Sequence, residues 1–116
     1  MRRRYILLAL ILAAGALFIA QAVGIALVEQ REANWYFTPA HIIGGVCAAL
    51  AYMYVVEGLA LRPVLLHCLA AVLIVGVSWE IYEYATIPAL QSLDTASDIV
   101  ADLLGGYVTF KVVYRA

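Results

Sequence analysis

Charge is scarce in this chain: only 13% of its 116 residues are Asp, Glu, Lys or Arg, about half the share of an ordinary soluble domain. That shortage leaves no charged surface on which a water-soluble fold could rely. The net charge of −1 gives no sign of a nucleic-acid partner. Cysteine is scarce as well. Cys47 and Cys68 lie in separate apolar segments without CxxC spacing, which removes a redox motif and a thiolate zinc site and leaves two packing residues. Internal repeats and low-complexity linkers are missing. So is a nucleophile with a base beside it: Ser78 has no histidine at its depth, and Cys68 falls at the opposite membrane side. Serine or cysteine catalysis is not supported.

What the chain has instead is apolar length, with 66% hydrophobic residues and a mean hydropathy of +0.97. A hydrocarbon core about 30 Å thick takes roughly 20 residues per helix, so the length fits four spans in a single domain, residues 1–116, with no room for a soluble module. The expected spans are about 5–28, 39–61, 64–84 and 97–113. The first follows Arg2, Arg3 and Arg4, exceeds the roughly 7–15 residues of a signal-peptide core and lacks a small-residue cleavage site, so it reads as a retained helix. Thr38-Pro39 suits the start of the second. Arg62-Pro63 closes it, and Pro88 follows the third. The fold class is therefore all-α, an integral membrane four-helix bundle.

Basic residues orient it. Arg2–Arg4, Arg62, Lys111 and Arg115 share one side of a four-span topology, and the other side has only Arg31, flanked by Glu29 and Glu32. By the positive-inside rule both termini are cytoplasmic, in a multi-pass protein of a bacterial-type inner membrane. Trp35, Tyr36 and Phe37 form an outer aromatic belt. Membrane lipids are the expected partners. The small-residue stripe Ala9, Ala13, Ala16, Ala20 and Gly24 lets another helix approach closely, within the bundle or, alternatively, in a homo-oligomer. Gly44-Gly45 and Gly105-Gly106 suit close contacts of the inner helices. At the cytoplasmic side Glu57 is expected to meet Arg62 or His67.

The same topology gathers the remaining ionisable side chains at the outer side. His41 lies one turn into the second helix, Glu80 and Glu83 in the last turns of the third, and Asp98 and Asp102 in the first turns of the fourth. Spacings of three and four put each set on one helical face. At 1.5 Å per residue Asp102 is about 6 Å and Glu80 about 9 Å from mid-span, where a carboxylate costs roughly 2.5–3.5 kcal/mol on insertion scales. Such a cluster needs protons, a cation or mutual pairing. Oxygen donors with one imidazole suit Mg²⁺, Mn²⁺, Ca²⁺ or Zn²⁺, and His41, Glu80, Glu83, Asp98 and Asp102 are the expected ligands. Asp94 is either a further ligand or a helix cap. Trp79 reads as an interfacial and packing residue.

Trp79-Glu80-Ile81-Tyr82-Glu83-Tyr84, followed by Asp94-Thr95-Ala96-Ser97-Asp98 and Asp102-Leu103-Leu104-Gly105, resembles the VanZ-like and YjdF-like small inner-membrane proteins. Their pattern joins a WExxE-type helix end to a DxxxD segment running into a glycine-containing helix, with His41 the counterpart of a histidine on the preceding helix. The resemblance spans about residues 40–106. Asp102 departs from the Asn that many VanZ-like sequences carry there, which adds an acid. The resemblance implies a compact helical membrane protein and supplies no reaction. The expected function is cation binding by the outer cluster, with a lipid or envelope ligand in reach. The alternatives are a metal-dependent intramembrane hydrolase acting on a lipid-linked substrate and a proton- or ion-coupled transporter subunit.

Overall fold

Each apolar run forms a helix, because backbone polar groups in an apolar setting must be paired within the segment. In order these are α1 (Arg2–Gln30), α2 (Phe37–Gly58), α3 (Leu65–Thr86) and α4 (Thr95–Arg115). The computed structural model describes residues 2–30, 37–86 and 95–115. Asp94, Arg31, Glu32, Trp35, Tyr36 and Pro88 lie outside the described residues. The protein is all-helical, and three helices are long and apolar enough to cross a membrane: α1, α2 and α3. The fourth has 21 residues but carries Asp98, Asp102 and Lys111. The molecule extends 46 Å along its long axis, matching a bilayer of about 40–45 Å with its headgroups.

The second helix is the hub, packing against α1, α3 and α4. Its contact with α4 is made by reciprocal glycines. A Cβ at Gly45 would collide with the carbonyl of Asp102, and a Cβ at Gly105 with the carbonyl of Ile42. The two backbones therefore touch, as small residues permit in membrane helix pairs. Below this contact Ala49, Met53, Cys68, Val72 and Phe110 form the buried core. Cys68 is fully buried and both cysteines are free thiols. The first helix covers α2 with one stripe, Ile6, Leu10, Ala13, Leu17, Gln21 and Gly24, at the three- and four-residue steps of a helical face. Ala9 and Ala16 face outward, so the small-residue stripe is only partly used in this contact.

The second helix ends earlier than residue 61. Leu61 N–H donates to Val56 O at 2.9 Å and Ala60 N–H to Glu57 O at 3.2 Å, with Ala60 at φ 55°. This is a Schellman cap with alanine in the left-handed position usually given to glycine. Tyr52 Oη, within 3.1 Å of Val64 N and 3.3 Å of Val64 O, ties the start of α3 to α2. Glu57 pairs with neither Arg62 nor His67 but with Arg2, at 3.1 Å. Arg2 also donates to Val113 O at 2.6 Å, and Arg3 lies 4.1 Å over the Tyr54 ring. The antiparallel packing brings the start of α1 level with the ends of α2 and α4. The basic end of the bundle is thus opposite the acidic one.

Candidate functional site: a histidine among three carboxylates

At the acidic end the glycine contact decides what meets what. His41 is one turn before Gly45 on α2, and Asp98 and Asp102 are two and one turns before Gly105–Gly106 on α4. Backbone contact at Gly45 and Gly105 leaves His41 between the two aspartates. Asp102 Oδ1 is 3.2 Å from His41 Nδ1. On the other ring nitrogen, Nε2, Asp98 Oδ2 is 3.3 Å away and Glu80 Oε1 is 3.5 Å away. His41 is only 5% exposed and Asp98 6%, so this constellation sits inside the bundle. The ligand atoms of His41, Glu80 and Asp98 all lie within 4.8 Å of one another.

The two sides of the imidazole have different roles. With Nδ1–H donating to Asp102, the Nε2 lone pair points toward the Glu80 and Asp98 oxygens. A carboxylate behind a histidine is the usual way of fixing a metal ligand's tautomer and ring orientation. Glu80 Oε1, Asp98 Oδ2 and Asp102 Oδ2 are buried and make no hydrogen bond among the described residues. A buried oxygen left so costs about 1–3 kcal/mol, more when charged. A single histidine has two N–H groups at most, too few for three carboxylates.

Of the expected ligands, the structure places His41, Glu80 and Asp98 around one point. Asp102 is on the other ring nitrogen. Glu83 is elsewhere: its Oε1 accepts from Trp79 Nε1 at 2.6 Å and Gln21 Nε2 at 3.0 Å, and it is 3% exposed. Trp79 therefore serves as a hydrogen-bond donor to a buried carboxylate, beyond interfacial packing. Gln21 escaped the sequence reading. Its signal was there, since it is the only amide within the apolar run 5–28. Ser78 donates to Ile74 O at 2.7 Å, the back-bonding usual for helical serine.

Glycine also makes room for the aspartate. A Cβ at Gly76 of α3 would come within 2.5 Å of Asp102 Oδ2, and one at Gly44 would lie 3.6 Å from Oδ1. On the outside of the bundle, a groove lined by Val77, Glu80, Ile81, Tyr84, Ala85 and Ile99 reaches Glu80 between α3 and α4. Glu80 is the one cluster residue among its described lining residues.

The chain matches no family model, no curated protein and no solved structure. The likeness to VanZ-like and YjdF-like proteins rests on the motifs alone.

Proposed function

We propose that this protein is a polytopic membrane protein whose His41, Glu80 and Asp98 bind a divalent cation, with Asp102 orienting the histidine. The observation that carries the reading is the pair of buried oxygens, Glu80 Oε1 and Asp98 Oδ2, that make no hydrogen bond among the described residues and face one imidazole nitrogen at 3.5 and 3.3 Å. A divalent ion neutralises both carboxylates and gives each oxygen a partner. On these spacings zinc fits better than magnesium. At ligand distances of about 2.0–2.2 Å a tetrahedral site has ligand–ligand edges of about 3.3–3.6 Å, whereas octahedral magnesium at about 2.0–2.1 Å needs edges near 3.0 Å. Three protein donors leave the fourth tetrahedral position for an outside ligand, the arrangement of zinc sites that do more than hold a fold together. A lipid or cell-envelope group entering by the Glu80 groove is the ligand this opening suits.

The setting is a bacterial-type inner membrane crossed four times, with both termini cytoplasmic. Three apolar helices and the gathering of Arg2 and Arg3 at the end opposite the carboxylates support that topology under the positive-inside rule. The deciding experiment is elemental mass spectrometry of protein purified in detergent without chelator. Stoichiometric zinc in the wild type, lost in Glu80→Gln and Asp98→Asn, is the expected result. Metal-free wild type that also fails to take up added zinc sinks the proposal and leaves a cluster of protonated, mutually bonded acids.

A further inference from the structure

The cation site uses one side of the His41 ring, and the other side opens on a separate space. Asp102 has a side chain 7% exposed. One of its oxygens faces His41 Nδ1, and the other, Oδ2, is buried without a hydrogen bond among the described residues. A cavity of about 80 Å³ lies beside it between α1, α2 and α3, with Gln21, Gly76, Trp79 and Asp102 on its walls. Neither Glu80 nor Asp98 is among its described lining residues. Gly76 keeps it open, because a Cβ there would come within 2.5 Å of Oδ2. On a scale where one water needs about 10–15 Å³, the space is ample for a small ion with water around it.

Charge says what kind of occupant fits. A divalent ion on the other side is balanced by Glu80 and Asp98, so the negative charge of Asp102 is left facing only a neutral imidazole N–H. A second divalent ion against this single carboxylate would leave an excess positive charge in an apolar wall. One positive charge closes the balance. The other buried carboxylate nearby, Glu83, already accepts from Gln21 and Trp79, which leaves Asp102 as the acid without a full set of partners, and the indole of Trp79 on the cavity wall is the aromatic ring that attracts cations best. We propose that this cavity is a second site that binds a small monovalent cation, an alkali ion or ammonium, with Asp102 as its anionic ligand.

The test is thermal unfolding of the full-length protein in detergent with zinc present and no chelator, with NaCl, KCl or NH₄Cl compared against N-methylglucamine chloride at equal ionic strength. At least one small cation is expected to raise the melting temperature saturably. Val75→Phe and Leu17→Phe, which narrow the cavity from α3 and α1 without touching the cluster, should shift the half-saturating concentration upward by about ten- to a hundredfold, the size of a lost charge-assisted contact, while retaining divalent metal. Identical melting in all four salts overturns the inference, and so does a response that survives in both variants. The divalent site stands or falls separately, by its metal content.

Discussion

Gly45→Ala adds one methyl group at the point where α2 and α4 touch. The new Cβ would run into the Asp102 carbonyl, closer than the 3.0 Å that real Cβ atoms essentially never breach. The obstacle is backbone, which cannot swing aside as a side chain would. Restoring ordinary contact means separating the helices by about 1 Å or more, the gap at which packed atoms already lose a quarter to a half of their attraction. His41 is one turn away on the same helix. Moving it off α4 by that amount takes Nε2 from 3.3 Å to more than about 4 Å from Asp98, outside the edge of any tetrahedral zinc site. Overpacking costs about 1–3 kcal/mol, and the better helix propensity of alanine returns less than about 1. The expected outcome is a net loss of about 1–2 kcal/mol together with loss of bound metal, read by thermal unfolding and elemental analysis. Gly15→Ala is the control, since nothing lies within 4 Å of its added Cβ. Gly105→Ala should mimic Gly45→Ala, and the double variant should cost less than the sum because one separation relieves both collisions. A Gly45→Ala protein that melts with the wild type and keeps its metal refutes the reasoning.

Glu83→Gln should leave metal content intact while Glu80→Gln removes it, since Glu83 accepts from Trp79 and Gln21; equal loss in elemental analysis would place Glu83 back among the ligands. Asp102→Asn should weaken zinc about 10–100-fold in a competition titration, the usual effect of removing the carboxylate behind a ligating histidine, and an unchanged affinity would reject its orienting role. Arg2→Ala breaks an ion pair with Glu57 whose side chains are 43% and 24% exposed. It should cost under about 1 kcal/mol in unfolding, as exposed pairs do, with zinc content unchanged.

Four helices and the end of the bundle that holds the acids were legible from the apolar runs and the placement of Lys and Arg. Helix limits were less so. The end of α2 depends on Ala60 taking a left-handed conformation, for which alanine gives no signal. The cluster was legible as a set of residues but not as a geometry. Spacing of four puts Asp98 and Asp102 on one face of α4, yet it cannot tell that His41 enters between them and meets each with a different nitrogen. That depends on how closely α2 and α4 approach, a property of Gly45 and Gly105 acting across the interface. Glu83 was an expected ligand beside Glu80 because a spacing of three puts both on one helical face. Their difference comes from Trp79, one turn earlier on the same helix, and from Gln21 on another.

The fourth helix explains why fold and site cannot be separated here. Two carboxylates at roughly 2.5–3.5 kcal/mol each on insertion scales set about 5–7 kcal/mol against placing α4 in a membrane on its own, and α4 is the helix that falls short of the apolar spans. What offsets that cost is on α2: His41 between Asp98 and Asp102, and Gly45 letting the backbones close on it. His41 and Gly45 are one turn apart on α2, so the contact that lets α4 pack also brings His41 between the two aspartates. A cation on the Nε2 side would strengthen this contact, because His41, Glu80 and Asp98 come from α2, α3 and α4. Such an ion would be linked to the stability of the whole bundle in the way any ligand of the native state is, by RT ln(1 + [L]/Kd). The acids are then expensive only in the helix considered alone. In the assembled bundle they are the groups through which α4 is held.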